Sequence, residues 1–176
     1  MAATTATSSA RPSLLSFPNP VDEVAARLVA LGVVLMAASA LVFDLRWMTL
    51  VLAYGFVARV LTGPKLSPLG RLVTQVVRPR LDVAPRLVPG PPKRFAQGVG
   101  ATFTVAALGF ALAGVDWLVT ALLAVLVVFA TLESVFAFCM GCTVFGWLMQ
   151  AGVIPESICL DCADITRRAR SGTSLG

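Results

Sequence analysis

The chain carries four cysteines in two matched pairs: Cys139 and Cys142 in "FCMGC", and Cys159 and Cys162 in "ICLDC". Two thiols three residues apart share a helix face, and they can close a disulfide or hold a soft metal. There is no histidine. That removes imidazole ligands, His-based proton transfer and Ser-His or Cys-His catalysis. What remains is the chemistry of sulfur.

Three readings of the cysteines stand side by side. In the metal reading, C-x2-C, sixteen residues and C-x2-C match the spacing of a structural zinc site, with Cys139, Cys142, Cys159 and Cys162 as four thiolate ligands. The spacer "TVFGWLMQAGVIPESI" is mostly apolar and lacks the Gly-rich knuckles of a zinc ribbon. In the redox reading, which needs no cofactor, a helix beginning just after Cys139 lowers its thiolate pKa through the helix dipole. Cys139 then attacks a disulfide and Cys142 resolves the product, while Cys159 and Cys162 form a second thiol pair that can carry electrons to a soluble partner. In the third reading the four are small polarisable fillers at a helix end.

Two further ionisable residues, Arg59 and Glu133, lie inside apolar runs. An ionisable side chain within a membrane segment is a functional candidate, and a mutual pair is its cheapest arrangement. The sequence therefore predicts an Arg59–Glu133 pair, structural or functional. Glu133, six residues before Cys139, is also a candidate acceptor for a thiol proton.

The elements that must position these groups are membrane helices. Apolar residues make up 57% and charged residues 13% of the 176 residues, against a usual charged share of ~25%. The mean hydropathy is +0.86, and the apolar residues fall in blocks. The reading is an all-α integral membrane protein with four transmembrane helices at about 25–43, 46–62, 95–114 and 117–138. Residues 1–20, rich in Ala, Ser, Thr and Pro, read as a disordered tail, 21–154 as the membrane domain, and 155–176 as a polar C-terminal tail bearing the second CxxC.

From Trp117 to Gln150 one unbroken helix would run about 51 Å, well beyond a ~30 Å hydrocarbon core. Gly141 is the expected break. It leaves a short apolar segment, Thr143–Val153, at the interface or dipping into it. Between the second and third spans, residues 63–94 hold seven prolines and seven basic residues against one acid, Asp82. Within that loop Leu69, Leu72, Val73, Val76 and Val77 recur at helical spacing opposite Arg71, Gln75 and Arg78. This predicts a short helix lying on the membrane or packed on the bundle. The loop has little aromatic interleaving, so lipid headgroups rather than nucleic acid are its expected partner.

Counting Lys and Arg orients the four spans. Two lie in the N-terminal tail and first-span entrance, seven in the loop and three in the C-terminal tail, twelve of the fourteen in the chain. The positive-inside rule puts both termini, the loop and all four cysteines on the cytoplasmic side of a cell inner membrane. Stable structural disulfides are rare there, which sharpens the choice between a metal site and a working dithiol.

The stretches "PKRFAQGVGA" (residues 92–101) and "FCMGC" (residues 138–142) resemble an uncharacterised family of small bacterial membrane proteins, catalogued only as a domain of unknown function. The resemblance covers about residues 19–150. It carries over to Arg94, Phe95, Gln97, Cys139, Gly141 and Cys142. Genes of that family neighbour thioredoxin-like and thiosulfate sulfurtransferase genes, so the resemblance implies work in thiol or sulfur metabolism and a thioredoxin-like or sulfurtransferase protein as partner.

Overall fold

The structure, a computed structural model, describes residues 17–159 and residue 162. Most of the N-terminal tail and all but the first part of the C-terminal tail lie outside the described residues. Helix α1, Glu23–Val42, starts where Asp22 takes the N-cap position and its carboxylate accepts the Val24 N–H at 3.0 Å. Glu23 adds an acid to the first turn, which the helix dipole favours. Small residues form its inner stripe: Ala25, Ala30, Ala37 and Ala40 are buried with Val29 and Val33.

After a turn in which Asp44 takes a left-handed φ of 50°, α2 runs over Trp47–Thr62 and stops at Gly63. Helix α4, Gly90–Leu112, opens with prolines in its first turn, where the missing N–H has no intrahelical partner to lose. Helix α5 spans Asp116–Phe136. Helices α1, α4 and α5 are long and apolar enough to cross a membrane, and α2 is a shorter apolar helix.

These four helices form an up-down-up-down bundle, in which α1 packs along α5 and α2 along α4. The two hairpin turns meet at one end, where Arg46 pairs with Asp116 at 2.8 Å. Val33, Ala37, Leu52, Phe56, Leu123 and Leu126 belong to the central core. Buried Thr62 and Thr104 donate to carbonyls of their own helices, Ala58 and Gly100, so no hydroxyl proton is stranded there. Leu35, Leu50, Tyr54 and Val128 are exposed along the helices. Trp47 and Trp117 are exposed at the hairpin-turn end and Trp147 near the other. Outward apolar faces bounded by tryptophans are what a bilayer selects.

The opposite end is elaborated by the basic loop. Short helix α3, Pro68–Leu72, runs into a π-type turn over Val73–Val77 and a 3₁₀ turn over Arg78–Arg80. Leu69 and Val73 pack against α1, at Ala25 and Val29 among others, while Leu72 and Val76 remain exposed. The segment thus leans on the bundle with one edge and offers apolar side chains outward with the next. Strands β1, Val21–Asp22, and β2, Leu87–Val88, pair antiparallel, and Arg78–Asp22 and Arg86–Glu23 ion pairs of 2.5 and 2.9 Å tie the loop to the start of α1. This tie escaped the sequence reading, because two-residue strands have no periodicity to detect.

After α5 the chain breaks at Ala137, which takes a left-handed φ of 56° as the helix C-cap. Helix α6 follows at Met140–Gln150. The break expected at Gly141 therefore falls four residues earlier, and Gly141 lies inside α6. Its role is spatial: a Cβ there would come within 2.6 Å of Ala96 Cα and Cβ on α4.

Candidate functional site

The first cysteine pair sits where the break in α5 delivers a new helix N-terminus. Cys139 is the N-cap of α6, and its sulfur accepts the Cys142 N–H at 3.4 Å. Cys139 is buried and Cys142 is half-buried, and both are free thiols. The Cys142 thiol donates to the Cys139 sulfur, which holds the Cys139 thiol below its ordinary range in spite of burial, with Lys93 adding to the effect and Glu133 opposing it. The same hydrogen bond, reinforced by burial, pushes Cys142 upward. One sulfur is thus set to be a thiolate and the other to keep its proton.

Arg59 and Glu133 line one cavity, but the ion pair that Glu133 makes is with a third residue. Glu133 binds Lys93, Oε1 to Nζ, at 2.7 Å, with both side chains largely buried. Arg59 donates instead to Gln97 Oε1 at 2.9 Å and Ser67 Oγ at 3.1 Å, and its guanidinium lies 4.4 Å from the centre of the Phe56 ring. The reason is helical register. Lys93 and Gln97 are four residues apart on α4 and share a face, so Lys93 reaches α5 while Gln97 meets α2. The sequence reading passed over Lys93 inside "PKRFAQ", because a lysine at a helix end reads as a snorkelling surface residue. Its i, i+4 relation to Gln97 was the available signal.

Every residue of the "RFAQ" stretch has a structural task. Arg94 donates to the Val60 carbonyl at 3.1 Å near the end of α2. The Phe95 ring packs on Phe145 of α6, 5.7 Å between centroids. Ala96 receives Gly141, and Gln97 holds Arg59. From α1, Arg27 donates to the Ser134 and Val135 carbonyls, both at 3.0 Å, and so caps the end of α5 just before the break.

Some of these groups border a cavity of about 310 Å³ between α1, α2, α4, α5 and α6. Its polar lining comes from Arg59, Gln97, Glu133 and Cys139, and its apolar walls include Val99, Phe103, Phe129 and Val144. Phe103 and Phe129 meet edge to face, 6.4 Å apart.

The second pair lies apart from this site. Cys159 is bonded to Cys162 and buried against Phe145 and Met149 on α6. Among the described residues, no three His, Cys, Asp or Glu side chains are grouped to hold a metal ion. Two of the four sulfurs of the zinc reading are bonded to each other.

An apolar helical bundle with a CxxC at a broken helix is the class of protein that fold and site define. The chain belongs to a family described as a domain of unknown function, DUF4395, whose model matches residues 21–150. That range takes in α1 to α6 with Cys139 and Cys142, and ends before Cys159. Comparison with curated proteins and with solved structures found no match.

Proposed function

We propose that this chain is a membrane-embedded dithiol–disulfide component of thiol or sulfur metabolism, working at the cytoplasmic face through Cys139 and Cys142. The observation that carries this reading is the N-cap position of Cys139 on α6, with the Cys142 N–H at 3.4 Å from its sulfur. A sulfur there is stabilised as thiolate by the helix N-terminus and by its neighbour's donors. The Cys139 thiolate attacks one sulfur of a substrate disulfide and expels the other as thiol. Cys142 then gives up its proton and attacks the mixed disulfide at Cys139, closing Cys139–Cys142 and releasing the second thiol of the substrate. The reverse sequence oxidises an incoming dithiol.

Four spans in an inner membrane, with both termini cytoplasmic, complete the proposal. It is supported by the grouping of the basic loop, the N-terminal segment and α6 at one bundle end, opposite the Arg46–Asp116 pair, together with the positive-inside count. In a reducing compartment a Cys159–Cys162 disulfide is a reducible working bond rather than a permanent clamp, which suits a tail pair that passes electrons to a thioredoxin-like or sulfurtransferase partner.

Redox titration of the purified chain with thiol counting and metal analysis tests this. Reversible loss of the Cys139 and Cys142 thiols at one potential, abolished by Cys139→Ser, is the expected result. One zinc per chain, lost on changing any one of the four cysteines to Ser, would replace it with a structural metal clip.

A further inference from the structure

A dithiol that cycles needs an acceptor for two electrons and two protons, and the cavity beside Cys139 restricts what that acceptor can be. Its walls are apolar, and Phe103, Phe129 and Val144 are only half-buried. The cavity is therefore open between α4, α5 and α6, on the flank where those helices face hydrocarbon if the bundle spans a bilayer. A molecule reaching it by that route must dissolve in lipid. At about 310 Å³ the space lies at the small end of ligand sites, and it suits one ring-sized head group rather than an extended peptide or a nucleotide.

The polar groups define the head. Arg59 has five N–H donors in a planar fork, and Gln97 and Ser67 are the hydrogen-bond acceptors it meets. Glu133, the carboxylate bordering the cavity, is already held by Lys93 at 2.7 Å. Of the groups lining the cavity, Arg59 is the cation, and its guanidinium is held in place by neutral acceptors. A guanidinium fixed in an apolar setting favours a neutral oxygen acceptor that turns anionic during reaction, and strengthens its grip as charge develops. The Phe103 and Phe129 rings, 6.4 Å apart, supply flat apolar surface for a ring.

We propose that the cavity is a binding site for a membrane-soluble quinone, which accepts the electrons of the Cys139–Cys142 dithiol. This rests on the dithiol reading above. From the fully protonated dithiol, Cys139 first loses its proton on ionising, the S–H bond of Cys142 then breaks, and one S–S bond forms. The cysteines are oxidised by two electrons, the quinone is reduced to quinol, and the two thiol protons end on its two oxygens. Arg59 holds the oxygen on which negative charge first builds.

The test uses the full-length chain in lipid nanodiscs, reduced and freed of reductant, with duroquinone as probe because its four methyl groups disfavour thiol addition to the ring. Quinone absorbance and free thiols are followed together, and a parallel sample receives the water-soluble disulfide of glutathione. The expected result is one quinone reduced per two thiols lost, with no reaction in Cys139→Ser. Phe103→Trp and Val144→Trp, which fill the cavity from two different walls, should each slow quinone reduction by about tenfold or more. Oxidation by the soluble disulfide without oxidation by duroquinone would overturn the quinone site and leave the dithiol function standing. Oxidation by neither would overturn both. Quinone reduction at wild-type rate in either filled variant would place the reaction outside the cavity and overturn the proposal.

Discussion

Gly141 on α6 lies so close to Ala96 on α4 that a Cβ at position 141 would sit 2.6 Å from both Ala96 Cα and Cβ. The contact joins two stretches of sequence 45 residues apart, "RFAQ" and "FCMGC". It sets how near the N-terminus of α6, and so Cys139, lies to the Lys93–Glu133 pair. Both residues flank the contact by only a few positions, so a shift of α6 is felt at the sulfur.

Gly141→Ala should therefore lower stability by about 1–3 kcal/mol, the usual cost of overpacking a tight contact. Thermal unfolding in detergent measures it. Because backbone as well as side chain stands in the way, α6 must move, and alkylation of Cys139 should change in rate, while the control Gly146→Ala on the same helix, where a Cβ meets nothing within 4 Å, should leave it unchanged. Equal behaviour of the two variants would remove the packing role from Gly141.

Lys93 and Glu133 form the buried ion pair of the bundle end, at 2.7 Å. Removing one partner leaves a lone charge in an apolar setting, at a cost of about 3–5 kcal/mol. Lys93→Met and Glu133→Gln should each destabilise the protein, and the double variant should be more stable than the sum of the two losses implies. A double-mutant cycle by thermal or denaturant unfolding reads the coupling, and additive losses would refute the pairing.

Much of this architecture was legible in the chain and some of it was not, for reasons that can be named. The four bundle helices followed from block hydropathy because lipid contact demands apolar residues all round a helix, and the ends shifted by five residues at most, at α4. A helix starting just after Cys139 was a condition of the redox reading, and α6 starts at Met140. The break itself was misplaced to Gly141, because glycine is the default residue for a left-handed φ, yet Ala137 adopts it here. The identity of the Glu133 partner was hidden as well. Pairing across helices depends on rotation about their axes, and linear sequence gives charge and depth but not which of two nearby cations faces inward.

Orientation can be checked in intact cells. Single cysteines placed at Asp44 or Asp116, beside the Arg46–Asp116 pair, should react with a membrane-impermeant maleimide added from outside, in a background lacking the native cysteines. Cysteines in the 63–94 loop should react only after the membrane is opened. The opposite pattern would put the CxxC on the outer face and reverse the compartment argument, since structural disulfides persist there.

The last prediction concerns pH and separates a working thiolate from a buried filler. In the folded protein the Cys142 thiol and the nearby Lys93 charge hold the Cys139 thiol below its ordinary value, and Glu133 works against them. A lowered pKa means that the thiolate persists at lower pH than usual. The rate of Cys139 alkylation by iodoacetamide, mapped by peptide mass spectrometry, should reach half its maximum below the ~8.5 of an unperturbed thiol. Cys142→Ala removes the thiol donor and should move the midpoint up, although the backbone N–H at 3.4 Å preserves part of the effect. Lys93→Met should also move it up, and Glu133→Gln should move it down. Opposite shifts from the two members of one ion pair cannot come from loosened packing, which would move both the same way. A midpoint at the ordinary thiol value that no variant displaces would leave Cys139 as a core residue without a chemical role.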